Sequence, residues 1–229
     1  MTNVAEFREE ATHCLIRMDD GKANALSFDM LAQLEKALDQ AEQAGKVVVI
    51  TGRPGKFSAG FDLSVMNQGG DAMLQLLQSG ADLSRRLIEF NTPVILGVSG
   101  HALAMGALLL LSADYRIGIH GNYKIGLNEV AIGMTLPWFG VELARHRLAT
   151  SHLDRAVGLA QVYDAEGAVT AGYLDEAVAE DQLLPRAESL AAQLSALDMT
   201  AHRQTKERIR AGLTAALDNA MASEFDAST

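Results

Sequence analysis

The run Lys46–Thr51 (KVVVIT) constrains the fold more than any other segment. Its apolar β-branched residues are consecutive rather than alternating, the pattern of a strand covered on both faces. Pro93–Val98 (PVILGV) repeats that pattern. Strands of this kind belong to parallel sheets, which need crossover connections, usually helical. Suitable helical material is present. Met30, Leu31, Leu34, Leu38 and Ala41 recur at helical spacing along Phe28–Ala44, with Ser27 as N-cap and Gly45 as stop. Ala72–Phe90 is a second amphipathic segment. The order strand, helix, strand predicts an α/β fold with right-handed crossovers.

The remaining elements follow from local chemistry. His13–Met18 reads as a short strand, and Asp19–Lys22 has turn composition. Gly52–Gly60 reads as loop and Gly100–Gly106 as a tight turn. The turn feeds Ala107–Ser112, which is apolar all round and therefore a buried helix. Asp114–Ile119, Asn122–Gly126 and Asp175–Ala179 are further strand candidates. Helical segments run on with breaks from Pro137, and Asp181–Ala196 and Thr200–Ala222 form two terminal helices. No linker or fixed-period repeat divides the chain, so one domain with a helical C-terminal part is expected.

Composition excludes several classes. With 19 basic and 29 acidic residues the net charge is −10, against sequence-independent nucleic-acid binding. An anionic small molecule, which reads only a local site, stays open. The single cysteine, Cys14, excludes an internal disulfide scaffold and a multi-cysteine metal site, and it fits a reducing compartment. Six scattered histidines show no metal-ligand spacing. The longest strongly apolar stretch, Ala102–Leu111, is about half the length of a membrane span. Met1–Glu10 is polar and acidic, without the features of a leader. The expectation is a soluble cytoplasmic protein.

Chemistry concentrates at the ends of the two buried strands. Phe57-Ser-Ala-Gly-Phe-Asp-Leu63 follows the first, and Gly100-His-Ala-Leu-Ala-Met-Gly106 follows the second. Small-residue loops here can aim backbone N–H groups at a ligand, helped by a helix N-terminus. Two such groups on one oxygen make an oxyanion hole. Equally, the glycines serve only tight turns and packing. In Tyr123–Met134, Glu129 lies in an otherwise apolar stretch. A desolvated carboxylate there has a raised pKa suited to proton transfer, whereas an exposed one would merely cap a turn. Ser58 has no His/Asp partners that would make it a nucleophile, and His101 reads as a loop histidine. His202, Arg203, Lys206, Arg208 and Arg210 form a basic cluster, with Glu207 interspersed, on a predicted helix. A solvated helix face accounts for it, and so does a contact to an anionic ligand.

Phe57–Leu63, Pro93–Gly106, and Asp114-Tyr-Arg-Ile117 followed by Gly126-Leu-Asn-Glu129 jointly resemble the crotonase superfamily, the enoyl-CoA hydratase/isomerase family. The resemblance spans roughly Cys14–Arg210. It implies a spiral of ββα units over 1–195 and a shortened C-terminal helical oligomerisation segment over 196–229 of the same single-domain protein. It further implies homotrimers or dimers of trimers, an acyl-CoA thioester as substrate, and no metal or redox cofactor. The implied hole donors are the N–H groups of Phe61 and Met105. Met105 stands where the family usually has glycine, so its side chain is expected to narrow the pocket. Lys22, Ala23, Asn24 and Ala25 match the loop that holds the adenine and pantetheine end of CoA. Ala59, Gly60, Asp62, Leu63 and Gly106 flank the hole, with Asp62 ordering its loop. Leu108, Ile132, Met134 and Trp138 are expected to exclude water. The basic cluster would, in its ligand reading, meet the CoA phosphates.

The family's hydratases carry two glutamates. Here the first position falls on Leu108 and the second on Glu129. Leucine cannot transfer a proton, and the pattern most closely resembles the Δ3,Δ2-enoyl-CoA isomerases of fatty acid β-oxidation. The implied mechanism takes a proton from C2 and returns it at C4 through Glu129 alone. The alternatives are a hydratase or another crotonase-type reaction, and a non-catalytic acyl-CoA-binding protein.

Overall fold

The computed structural model describes residues 3–225. The strands are β1 (Ala5–Glu9), β2 (His13–Met18), β3 (Val47–Thr51), β4 (Gly55–Ser58), β5 (Val94–Val98), β6 (Gly100–Leu103), β7 (Tyr115–Ile119), β8 (Ile125–Gly126) and β9 (Glu176–Val178). The helices are α1 (Phe28–Ala44), α2 (Leu63–Met66), α3 (Gly70–Glu89), α4 (Met105–Ser112), α5 (Trp138–Arg147), α6 (Thr150–Val157), α7 (Ala165–Ala171), α8 (Leu183–Leu194) and α9 (Met199–Phe225). Of the segment expected to end the chain, 226–229 lie outside the described residues.

Among the described residues the strands form a large sheet of order β1-β2-β3-β5-β7-β9 and a small one of order β4-β6-β8. All pairings are parallel except β1 with β2. The chain places one strand in the large sheet and the next in the small sheet, then turns into a helix. It does so with β3, β4 and α3, and again with β5, β6 and α4. This is a spiral of ββα units.

The two buried runs behave as expected of strands covered on both faces. Val47, Val49 and Ile95 pack with Ile117 and Ile119 against Leu183, Ala187 and Leu190 of α8. Val48, Ile50, Leu96 and Val98 face the main core, which α1, α3 and α4 fill from the other side. α1 runs between its expected limits. Ser27 Oγ accepts from Met30 N, and Gly45 closes the helix at φ 63°.

Three strands depart from expectation. β4 lies in the segment read as loop, and β6 lies in the segment read as a tight turn. Both are short and carry glycine, so they lack the apolar run that marks a strand. What makes them strands is each other. Gly55 pairs with Gly100 and Lys56 with His101, and a Cβ on Gly100 would collide with the Gly55 backbone. β1 lies in the polar start, where it pairs antiparallel on β2 as an edge strand, and only Ala5 is fully buried.

The basic cluster on α9 splits. Arg203 and Arg208 are exposed. Lys206 and Arg210 turn inward and clamp Asp114, with Lys206 Nζ 2.7 Å from Oδ2 and Arg210 Nη2 2.8 Å from Oδ1. Arg210 Nη1 also donates to Ile88 O at the end of α3. Burial pushes Lys206 down to about 8, against the opposing pull of Asp114. These two residues therefore bind α9 to the body of the protein, which neither expected role describes.

Asn24 has an equally internal role. It sits in the left-handed region at φ 51° and is fully buried. Its Nδ2 lies 3.1 Å from the carbonyl oxygens of Met18, Lys56 and Phe57, and its Oδ1 accepts from Asp20 N. It joins the Asp19–Leu26 loop to β4. Asn24→Ala removes the amide donor that these buried carbonyls share and places alanine at positive φ, so urea denaturation is expected to show a loss of about 2–4 kcal/mol. A loss under about 1 kcal/mol would contradict this role.

Candidate active site

Two backbone turns build the site. Leaving β4, the chain forms an isolated parallel bridge between Leu26 and Phe61. Leu26 N donates to Gly60 O and Asp62 N donates to Leu26 O. These bonds flank Phe61, whose own N–H is turned to the opposite side of the strand. Leaving β6, the chain turns at Ala104, which has φ 51° and ψ −127°. Ala104 O accepts from Ala107 N and Leu108 N at 2.8 and 3.0 Å, so it points along α4. Across a trans peptide the Met105 N–H points the other way, out of the helix N-terminus. Neither the Phe61 nor the Met105 N–H has an acceptor among the described residues.

The two turns touch. A Cβ on Gly60 would lie 2.8 Å from the Ala104 Cβ and 3.3 Å from Met105 N. A Cβ on Gly106 would lie 2.8 Å from the Ser58 Cβ. Both glycines are thus required for the close approach of the two turns. Ser58 is spent on the same junction, with Oγ donating to Asn24 O and accepting from Gly60 N.

Met105 does not narrow the cavity. Its side chain is fully buried and reaches α3 at Gly80, where an added Cβ would stand 3.3 Å from Met105 Cε. The missing side chain at Gly80 makes this room, and the Phe61 ring packs there as well.

Beside the turns lies a cavity of about 400 Å³. Ala59, Phe61 and Ala104 line it from the turns, Leu63 and Met66 from α2, Met73 and Leu77 from α3, and Leu108 from α4. Asn128, Glu129, Ile132, Met134, Thr135 and Pro137 come from the segment between β8 and α5, and Glu224 comes from α9. Glu129 is 7% exposed, and its side chain makes no cap bond to the short helical turn that follows. Burial pushes its carboxyl up from 4.5 to about 7, opposed only by a hydrogen bond from its own backbone. Its Oε2 is buried without a partner. Nearby, the Tyr173 hydroxyl is also buried; burial raises its pKa, Tyr163 and Glu129 add to the rise, and the Leu127 backbone opposes it.

Of the residues expected at the site, Ala59, Phe61, Leu63, Leu108, Glu129, Ile132 and Met134 share this wall. Met105, Gly60 and Gly106 stand immediately behind it. Asp62 faces away and caps α2, accepting from Ser64 N and Ser64 Oγ. Lys22, Ala23, Asn24 and Ala25 lie behind the first turn, joined to it by Ala59 N donating to Ala23 O and by the Ser58–Asn24 bond. Trp138 is 57% exposed and outside the wall, because it opens α5 with its ring toward solvent. Its backbone N–H donates to Glu224 Oε2 at 2.8 Å. Sequence reasoning missed Met66, Met73 and Leu77, and it missed Glu224. The first three follow helical spacing, but nothing local says that they face a cavity. Glu224 lies in the terminal Ser-Glu-Phe-Asp run, where no pattern marks it out.

Residues 8–228 match the family model described as "Enoyl-CoA hydratase/isomerase". The chain is 29% identical to mitochondrial enoyl-CoA delta isomerase 1 of Rattus norvegicus, over 90% of this chain and 73% of that protein. It is 30% identical to the crotonyl-CoA hydratase of Syntrophomonas wolfei, over 98% and 88% respectively. Among solved structures, an enoyl-CoA hydratase/isomerase family protein from Pseudomonas syringae superposes with a TM-score of 0.96 at 42% identity, covering 98% of this chain and 97% of that one.

The buried carboxyl has a consequence for stability. Glu129 titrates near 7 when folded and near 4.5 when exposed, so the folded state resists its ionisation. The penalty is absent below about pH 4.5 and complete above about pH 7, where it reaches roughly 3 kcal/mol. Glu129→Gln is therefore expected to raise the melting temperature by several degrees at pH 8 and to leave it unchanged near pH 4. A Tm difference independent of pH would contradict the burial of this charge.

Proposed function

The chain belongs to the enoyl-CoA hydratase/isomerase family of acyl-CoA enzymes, and we propose that its reaction is the isomerisation of a 3-enoyl-CoA to the conjugated 2-enoyl-CoA. Relatives at about 30% identity include both isomerases and hydratases, so the choice rests on the cavity. The observation that carries it is the pairing of Leu108, buried and apolar in the wall, with Glu129, the carboxylate whose pKa is lifted to about 7. Hydration asks two groups to activate water and protonate carbon. Moving a proton between two carbons of one chain asks for one.

In this reading the Phe61 and Met105 N–H groups bind the thioester oxygen. They polarise the carbonyl, and α4 adds the partial positive field of its N-terminus. Glu129 takes a proton from C2, and the electron pair moves into the carbonyl to give a dienolate. The double bond then shifts from C3–C4 to C2–C3 as Glu129 delivers the same proton to C4. Atoms and charge balance without a further reactant. A pKa near 7 suits both halves, since the carboxylate must be basic enough to take the proton and acidic enough to return it. Leu108, Met66, Met73 and Leu77 keep water from the dienolate.

The test supplies purified protein with a 3-enoyl-CoA and, separately, a 2-enoyl-CoA. Absorbance of the conjugated thioester is expected to rise with the first, and loss of that absorbance with the second would show hydration instead. Glu129→Gln is expected to lower kcat about 10²–10⁴-fold. Because the base is the ionised form, kcat/KM should climb as pH rises through about 7 and level off above it. A profile flat between about pH 5 and about pH 8 would remove Glu129 from the role.

A further inference from the structure

The cavity holds a second carboxylate that the proposed reaction does not use. Glu224 projects from the last turn of α9 into the wall that also carries Glu129. It is half-buried, and its Oε2 accepts from Trp138 N at the first turn of α5. The N-terminus of α5 favours a negative charge at this point. α9 is itself pinned by the Lys206 and Arg210 clamp on Asp114, so the carboxylate is held from both of the helices that meet there.

The rest of the wall offers no counter-charge. Among the described residues that line the cavity there is no lysine, arginine or histidine, and the polar ones besides the two glutamates are Asn128 and Thr135. A cavity of 400 Å³ is only about 9 Å across if taken as a sphere, close to one Debye length at physiological salt. A ligand anion anywhere inside it would feel Glu224 with little screening. It would also be desolvated without a cation to pair with.

We infer that Glu224 sets acyl-chain specificity, admitting neutral apolar acyl groups and rejecting those that carry a carboxylate at the far end. The inference rests on the acyl-CoA reading of the cavity, and it holds equally for an isomerase or a hydratase. Its physical content is a like-charge contact built against one class of substrate, which is a common way to obtain selectivity.

The test compares two saturated thioesters of equal chain length, hexanoyl-CoA and adipoyl-CoA, by calorimetric titration. The measured quantity is the ratio of their dissociation constants in the wild type, in Glu224→Gln and in Glu224→Lys. A carboxylate entering an apolar cavity is disfavoured in any case, so the ratio matters only through its change. Glu224→Gln, which keeps an acceptor for Trp138 N, is expected to reduce the preference for hexanoyl-CoA by roughly tenfold, and Glu224→Lys to reduce it further or invert it. A ratio unchanged across the three proteins overturns the inference and leaves the proposed function standing. If neither thioester binds the wild type, the acyl-CoA reading falls and the inference falls with it.

Discussion

The contact between the two strand-end turns is the constraint on which the site depends. Gly60 lies against Ala104, and Gly106 lies against Ser58, closer than any side chain would permit. The small sheet enforces this approach. Ala102 N donates to Lys124 O and Ala104 N to Gly126 O, so β8 holds the second turn in place. Ala104 is kept at positive φ, a conformation that costs an alanine on the order of 1–3 kcal/mol. That backbone geometry is what turns the Met105 N–H outward. Glu129 follows three residues after Gly126, so the same ladder bonds hold both the second turn and the segment that carries Glu129.

Stability and chemistry pull in opposite directions here. The proposed proton transfer needs a poorly solvated carboxylate at Glu129, and for the same reason its ionisation weakens the fold near neutral pH. The surrounding architecture absorbs that cost through the long apolar core and through clamps distant from the cavity. α9 is one of them. From Arg210 to Glu224 the helix advances about 21 Å, so a single rigid element links the buried Asp114 clamp to the rim of the cavity.

Much of the fold is legible in the sequence because its main elements are long and periodic. Val47–Ile50 and Val94–Val98 announce strands buried on both faces, and α1 is bounded by its own cap residues. β4 and β6 are not legible from the residues alone. Each is four residues long, and each becomes a strand only through tertiary pairing of glycine against glycine. The site divides in the same way. Glu129 stands out as a charge in an apolar stretch, and Phe61 and Met105 follow from motif position. Asn24 sits in a recognised loop, but whether its amide faces a ligand or three carbonyls depends on a contact 33 positions away. Lys206 and Arg210 look like a solvated face until Asp114 is found beneath them. Glu224 belongs to the cavity only because α9 folds back over α5, which no local pattern encodes.

The central claim is that one desolvated carboxylate carries a proton from C2 to C4 inside a cavity that excludes water. Deuterium placed at C2 of a 3-enoyl-CoA tests it directly, with the product examined by NMR in ordinary water. A 2-enoyl-CoA with a substantial part of the label at C4 is expected. A product whose C4 has gained its new hydrogen only from solvent, or one that has gained a hydroxyl at C3, would contradict the claim.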